Sequence, residues 1–137
     1  LAPRNFAMLT RIATRILSFL HTLYGISNCD TVKRARRWLD ESQIDYQFYD
    51  LRKHGVTTKL IEQWLERVHW EALLNRRGTT WRKLDANTQG AVSKDTITPL
   101  FCEHPTLIKR PVLEYDDKMA IGFSDTTYHS LLRCGRQ

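Results

Sequence analysis

Cys29 is the residue whose type and position in this sequence most favour covalent chemistry. It follows a short apolar run, Leu23 to Ile26, and the turn residues Ser27 and Asn28, and a basic helical pattern begins at Val32. At a helix start, free backbone N–H groups and the positive end of the helix dipole stabilise a thiolate. The alternative is a small, buried structural cysteine. The position favours a reactive thiolate, with Asn28 or backbone N–H groups steadying the turn.

The other cysteines bear on how such a thiolate would complete its reaction. Position 32 is Val, so no second cysteine stands one helical turn after Cys29. The sequence therefore favours monothiol chemistry completed by glutathione or another thiol. Cys102, which adjoins Phe101, is better explained as a core or boundary residue, and Cys134 in the polar tail is a less favoured resolving thiol. Three cysteines at long spacings and five histidines without ligand spacing predict no bound metal or cofactor.

Two arginine-containing turns could hold an anion beside the sulfur. Arg110 precedes Pro111 at a predicted strand start, where the proline is either an edge residue or part of a cis peptide. Arg76 and Arg77 follow Asn75 in a basic turn. Guanidinium groups there suit bidentate capture of a carboxylate or oxyanion, although solvated charges in a turn are equally common. The candidate site is therefore the nucleophile Cys29 with the anion-binding residues Asn28, Arg76, Arg77, Arg110 and Pro111.

Length and composition describe one ordinary domain with an excess of positive charge. The chain has 137 residues, 42% of them hydrophobic and 26% charged, which allows a core without disulfides. A net charge of +6 favours anionic partners, such as glutathione or another small anionic or thiol substrate. No nucleic-acid-binding module is recognisable, so direct nucleic-acid binding is not expected. Reduced thiols indicate the cytoplasm, and we expect a monomer.

Residues 1–21 form a basic amphipathic extension, in which Leu9, Ile12, Ile16 and Leu20 fit one face of a helix. Its apolar run is far too short to span a membrane. Three arginines and no acidic residue are typical of an organelle transit peptide. An extension without a role, or an appended surface helix, is the favoured alternative. The other end of the chain, 133–137, is predicted to be a polar tail.

The elements that must position the candidate site alternate between strand and helix. A strand at 22–26 precedes Cys29, a helix at 31–42 follows it, and a second strand is predicted at 46–51. A strand, helix and strand of these lengths predict a right-handed parallel crossover.

The remaining pattern predicts helices followed by an antiparallel hairpin. Helical segments occupy about 57–104, with a polar turn at 88–92, and a hairpin across 108–123 precedes a final helix. Residues 22–132 are therefore predicted to form one α/β domain. A thioredoxin-like mixed sheet, with helices on both faces and a helical insertion at about 57–104, accommodates this order.

Four motifs, taken together and in order, resemble the ArsC/Spx family. They are Leu-Tyr-Gly-Ile-Ser-Asn-Cys-Asp-Thr-Val-Lys at 23–33, Trp-Glu-Ala-Leu-Leu-Asn-Arg-Arg-Gly-Thr-Thr-Trp-Arg-Lys-Leu at 70–84, His-Pro-Thr-Leu-Ile-Lys-Arg-Pro-Val-Leu at 104–113 and Ile-Gly-Phe-Ser at 121–124. The resemblance covers about residues 22–132. It is greatest to the YffB-like branch, whose members are described as arsenate reductases or glutathione-dependent thiol reductases.

This resemblance implies a thioredoxin-like fold with a helical insert. It also implies that Cys29 is the catalytic cysteine, that Arg110 binds an oxyanion and that Pro111 is a cis-proline. Arsenate reductases of the family hold the oxyanion with three arginines, and this chain has Asn75 and Gly122 where two of them stand. Losing two charged ligands should weaken arsenate binding by a few kcal/mol, at about 1.5–3 kcal/mol each.

The expected function is a monothiol oxidoreductase that uses glutathione as co-substrate. One alternative is a glutaredoxin-coupled arsenate reductase, with glutaredoxin as a partner. The other is an Spx-like redox-sensing regulator that binds RNA polymerase. Such regulators usually carry a CxxC pair, and this chain has Val32 at the second cysteine position.

Overall fold

The computed structural model describes residues 21–133, and a mixed four-stranded sheet is its centre. The first strand is parallel to the second and antiparallel to the third, which is antiparallel to the fourth. The strands are β1 (His21–Gly25), β2 (Gln47–Asp50), β3 (Val112–Tyr115) and β4 (Lys118–Ile121), in the spatial order β2-β1-β3-β4. His21 belongs to β1, whereas the rest of the predicted extension and the tail from Cys134 onwards lie outside the described residues.

Eight α-helices and one 3-10 turn accompany the sheet in the described range. They are α1 (Asp30–Glu41), α2 (Leu51–His54), α3 (Thr58–Leu65), α4 (Trp70–Leu73), α5 (Thr79–Lys83), α6 (Ala86–Gly90), α7 (Lys94–Glu103), the 3-10 turn Pro105–Leu107 and α8 (Asp125–Arg133).

Two short helices differ from the sequence-based prediction. Helix α2 starts where the second strand was expected to end, and α6 replaces most of the polar turn predicted at 88–92, so that prediction is wrong. Each helix begins after an aspartate that accepts backbone N–H bonds: Asp50 accepts from Arg52 and Lys53, and Asp85 accepts from Thr88. These caps stabilise single helical turns whose apolar pattern is too short to recognise.

The predicted α/β fold, a thioredoxin-like mixed sheet with helices on both faces, is confirmed. Both faces of the sheet are covered, because the consecutive β3 residues Val112 and Leu113 pack in two different core clusters. Helices α1 and α8 supply Leu39 and Tyr128 to the Leu113 cluster. The helices between β2 and β3 supply the Val112 cluster, whose buried members include Leu51, Ile61, Trp64, Leu73, Ile97 and Phe101.

One end of the sheet gathers the segments that carry the candidate site. Gly25, the last residue of β1, pairs with Asp50 at the end of β2. Because β1 runs antiparallel to β3, this end also lies beside Val112, where β3 begins, and β4 finishes there as well. Cys29 follows β1, and Arg110–Pro111 precedes β3. We call this end of the sheet the thiol end.

A half-buried carboxylate on β3 fastens the helical insertion to the sheet. The Nε1–H group of Trp64 donates to Glu114 Oε1 at 2.6 Å, and a terminal nitrogen of Arg67 lies 3.6 Å from Glu114 Oε2. Burial, together with the charge and hydrogen bonding of Glu114, raises the pKa of Tyr24 well above its ordinary value. These polar contacts join α3 and the turn after it to β1 and β3.

Tyr128 on α8 is fully buried, and its hydroxyl has no hydrogen-bond partner among the described residues. The same burial raises the pKa of the Tyr128 phenol. A buried, unpaired hydroxyl costs free energy, so Tyr128→Phe is expected to raise the free energy of unfolding by about 1 kcal/mol. Tyr49→Phe is the matched control, because the Tyr49 hydroxyl donates to the Gly55 carbonyl at 2.8 Å and its loss should destabilise. Chemical denaturation measures both variants, and equal destabilisation would contradict an unpaired Tyr128 hydroxyl.

Candidate active site

Cys29 is the N-cap residue of α1, with extended backbone angles of φ −93° and ψ 126°. Its N–H donates to the Ile26 carbonyl at 3.1 Å, and its carbonyl accepts the N–H of Lys33 at 2.9 Å. That second bond is the first of the helix, so the N–H groups of residues 30–32 precede it at the positive end of the helix dipole. The Cys29 side chain is half-buried and makes no capping hydrogen bond. The sulfur therefore lies at a helix start without a hydrogen bond to the helix.

Val32 is fully buried one turn after Cys29 and packs against the end of β1. A Cβ atom added to Gly25 would lie 2.8 Å from Val32 Cγ2, so only glycine permits this approach of helix to strand. Position 32 is thus a packing position that holds the start of α1 against the sheet. Cys29 therefore lies in a turn between a strand and a helix that pack against each other.

Asp50 connects the cysteine turn to α2. Burial alone would raise the pKa of this carboxyl, but hydrogen bonds from the backbone N–H groups of Lys53, Arg52 and Ser27 and from the Ser27 side chain outweigh it and hold the pKa below its usual value. Asp50 is not among the site residues that the sequence predicts. The available signal is an aspartate at a strand end followed by residues that could form a capped turn.

Asp50→Asn is expected to destabilise the protein at neutral pH, because the neutral amide is a weaker acceptor for the N–H groups of Arg52, Lys53 and Ser27. Since the folded-state pKa of Asp50 is lowered, its ionised form stabilises the protein above the unfolded value, about 3.9, and this contribution is lost as pH falls through the folded value. Denaturant midpoints measured from pH 7 downwards should converge for variant and wild type. The exposed Asp117→Asn serves as control, and a constant difference at every pH would contradict this role of Asp50.

The Arg110–Pro111 peptide bond is cis, as the resemblance implies. The Arg110 Nη1 group donates to the carbonyl of Thr106 at 2.8 Å and to that of Ile108 at 3.4 Å. Its Nε–H group is buried and has no partner among residues 21–133. The Pro111 carbonyl accepts the N–H of Gly122 at 2.8 Å. Arg110 is therefore oriented by the backbone while one of its donors stays unpaired, which suits the binding of an anion.

A short antiparallel bridge brings the basic turn beside the Arg110 segment. Leu74 pairs with Ile108, the Asn75 N–H donates to the Leu107 carbonyl at 2.8 Å, and the Lys109 N–H donates to the Leu73 carbonyl at 2.8 Å. The residues from Asn75 to Gly78 thus leave this bridge next to the segment that leads to Arg110. Sequence separation conceals this neighbourhood, because more than thirty residues lie between the two segments.

Arg76 and Arg77, the two predicted anion-binding residues of the basic turn, have different surroundings. The guanidinium carbon of Arg76 lies 5.9 Å from the Trp70 ring centre and 5.8 Å from that of Trp81, and one of its nitrogens lies 3.9 Å from a Glu71 oxygen. Arg77 is exposed, and its N–H donates to Asn75 Oδ1 at 3.1 Å. Arg76 therefore has an aromatic and acidic environment of its own, whereas Arg77 extends into solvent.

Asn28 is exposed in the turn that precedes Cys29. Among residues 21–133, no three His, Cys, Asp or Glu side chains are grouped so that they could hold a metal ion. The same range contains no helix of the length and hydropathy needed to cross a bilayer.

The sequence pattern of the ArsC family matches residues 24–131. This chain belongs to the ArsC family. An uncharacterised Haemophilus influenzae protein is 40% identical over 109 residues, which cover 80% of this chain and 96% of that protein. The solved structure of a YffB protein is 38% identical with a TM-score of 0.78, and the match covers 82% of this chain and 98% of that one.

Other relatives carry functional names of two kinds. An arsenate reductase related protein from Brucella melitensis is 43% identical with a TM-score of 0.67, covering 82% of this chain and 94% of that one. The global transcriptional regulator Spx 2 of Bacillus anthracis is 27% identical over 112 residues, which cover 80% of this chain and 85% of the regulator. This chain is thus similar both to a protein named as related to an enzyme and to a protein named as a regulator.

Proposed function

We propose that this protein is a monothiol oxidoreductase that exchanges disulfides through Cys29, with glutathione as co-substrate. The observation that carries the proposal is the position of Cys29: its half-buried sulfur stands at the start of α1 without a capping bond, at the sheet end shared with Arg110. Helix N-termini favour the thiolate over the thiol, and the thiolate is the attacking species in exchange. The proposed location is the cytoplasm, where glutathione keeps thiols reduced.

The exchange proceeds in two displacements. The Cys29 thiolate attacks one sulfur of a disulfide substrate, so that a Cys29 mixed disulfide forms, the substrate disulfide breaks and the other sulfur leaves as a thiolate with the electron pair. A glutathione thiolate then attacks the mixed disulfide and restores the Cys29 thiolate. With a glutathione-containing substrate the second disulfide is oxidised glutathione. With a neutral disulfide it is a mixed disulfide of glutathione, which a second round converts into oxidised glutathione. A proton from water neutralises each thiolate that leaves.

Arg110 would hold a carboxylate of the anionic substrate or co-substrate. Its buried Nε–H group is unpaired, and its Nη1 group is fixed by the carbonyls of Thr106 and Ile108. No cysteine follows Cys29 at position 32, where Val32 is buried, so the proposed exchange takes its resolving thiol from a second molecule. This requirement supports glutathione over an internal dithiol mechanism.

Arsenate reduction coupled to glutaredoxin is the second candidate, supported by the family and by relatives named for that activity. Asn75 and Gly122 argue against it, because neither supplies a guanidinium group. An Spx-like regulatory role is the third candidate, supported by the similarity to Spx 2. It would require a polymerase-binding surface and a redox response from a single cysteine.

The test is turnover of a small neutral disulfide by the full chain in the presence of glutathione, followed by chromatography of oxidised glutathione. The proposal expects turnover at least about tenfold above the uncatalysed exchange. A parallel reaction with arsenate, glutathione and glutaredoxin should yield no arsenite above background. Arsenate turnover without disulfide turnover would establish the second candidate instead. Recovery of RNA polymerase on the immobilised chain, together with no turnover of either substrate, would favour the third.

A further inference from the structure

The thiol end carries exposed cations on three separate segments. Lys33 lies in the first turn of α1, Arg52 and Lys53 lie on α2, and Lys109 precedes Arg110. We call Lys33, Arg52, Lys53 and Lys109 the cationic rim. Its members belong to segments that, like the turn containing Cys29, lie at this end of the sheet.

The rim is not neutralised by the part of the protein that the structure describes. Ion pairs within residues 21–133 join His21 to Asp116, Arg67 to Glu114, Arg76 to Glu71 and His104 to Glu103, and none of them includes a rim residue. Of the carboxylates at this end, Asp50 is engaged by backbone N–H groups, while Asp30 and Asp125 lie in the first turns of α1 and α8. Four exposed cations and Arg110 thus exceed the available negative charge.

The opposite end of the sheet carries several carboxylates beside Lys118. Asp116 and Asp117 form the turn between β3 and β4, Asp45 precedes β2, and Asp40 and Glu41 end α1. Among the described residues, cations of the thiol end and carboxylates of the opposite end are therefore separated along the sheet. Charge separation of this kind orients an approaching partner and increases its rate of encounter.

We propose that the cationic rim recognises acidic residues flanking the oxidised cysteine of a protein substrate. The inference rests on the proposed exchange activity and names its substrate class: a mixed disulfide between a small thiol and a cysteine in an acidic segment. An extended acidic segment can contact the cations on α1, on α2 and before Arg110 while its sulfur reaches Cys29. A nucleic acid would match the charge but would bring no disulfide to the thiolate.

The covalent step in this setting is the exchange described above. The Cys29 thiolate attacks the sulfur of the small thiol, so that the substrate protein leaves as a thiolate and takes a proton from water. Glutathione, the reductant, then displaces the small thiol from Cys29 and becomes the oxidised partner of a new disulfide. The rim contributes the positioning of the substrate and takes no part in the bond changes.

The experiment compares two synthetic peptides whose single cysteine carries the same small thiol as a disulfide. One peptide has aspartate on both sides of the cysteine, and the other has asparagine. With glutathione as the reductant, the full chain should free the cysteine thiol of the acidic peptide about three- to tenfold faster at low salt, and the preference should disappear at about 0.5 M salt, where the screening length falls to a few ångströms. Arg52→Glu/Lys53→Glu should abolish the preference, whereas the control Arg37→Glu/Lys118→Glu, with the same change of residue types away from the thiol end, should retain it.

Equal rates for the two peptides, or a preference that survives in Arg52→Glu/Lys53→Glu, would overturn the inference. Binding of the acidic peptide to Cys29→Ser protein, measured by fluorescence anisotropy, separates recognition from chemistry. If the acidic peptide binds in a salt-sensitive way but the wild-type protein exchanges no disulfide, the proposed function is refuted while recognition of acidic segments by the rim is supported. Binding of an oligonucleotide of equal charge, without binding of the acidic peptide, would assign the rim to nucleic acid and overturn the proposal.

Discussion

Replacing Cys29 by Ser is expected to reduce glutathione-dependent disulfide exchange by at least about a hundredfold, to the uncatalysed rate. A serine hydroxyl remains protonated at neutral pH, and it cannot form the mixed disulfide that both displacements require. The measurement is oxidised glutathione formed per enzyme with a neutral disulfide substrate. Because the Cys29 side chain makes no capping hydrogen bond, the substitution should leave the fold intact.

Cys102→Ser is the matched control for that substitution. Cys102 is half-buried on α7, where its sulfur lies 3.8 Å from the Thr58 hydroxyl, and the exchange mechanism does not use it. Exchange should therefore continue in Cys102→Ser. Activity retained by Cys29→Ser and lost by Cys102→Ser would contradict the assignment of the nucleophile. Thermal unfolding of both variants distinguishes a chemical loss from a structural one.

Local sequence signals predict the elements around Cys29 and the fold class well. The strand, turn and helix around Cys29 are encoded by neighbouring residues, and β1 and α1 each lie within one residue of the predicted bounds. The hairpin of β3 and β4 and the final helix are likewise predicted by local pattern. Such features follow from periodicity and capping, which need no knowledge of distant contacts.

The surroundings of the cysteine are less predictable, because they depend on contacts between distant segments. The hydrogen bonds of Ser27 with Asp50 and the bridge between Leu74 and Ile108 join residues that are distant in sequence. The packing of Arg76 against Trp70 and Trp81 depends on the direction of a side chain, which the sequence pattern does not specify. A basic turn indicates where charge lies. It does not indicate which guanidinium group faces the sulfur.

Arg110→Lys is expected to raise the KM for glutathione about ten- to hundredfold, with a smaller effect on kcat. A charged hydrogen bond contributes about 1.5–3 kcal/mol, and lysine keeps the charge but loses the Nε–H donor and the planar fork of the guanidinium group. The buried, unpaired Nε–H group of Arg110 is the donor that we assign to the anion. Initial rates at varied glutathione concentration, with a neutral disulfide as the other substrate, measure this effect.

The structural role of Arg110 has to be separated from its role in binding. Its Nη1 group also donates to the Thr106 and Ile108 carbonyls, so lysine could loosen the segment before Pro111. Loosening of that segment would lower the thermal stability and change the rate at which neutral iodoacetamide alkylates Cys29. Loss of an anion contact would change the KM for glutathione alone. Arg37→Lys, an exposed substitution on α1, is the matched control. An unchanged KM in a folded Arg110→Lys variant would contradict anion binding by Arg110, since no other arginine among the described residues has a buried nitrogen without a partner.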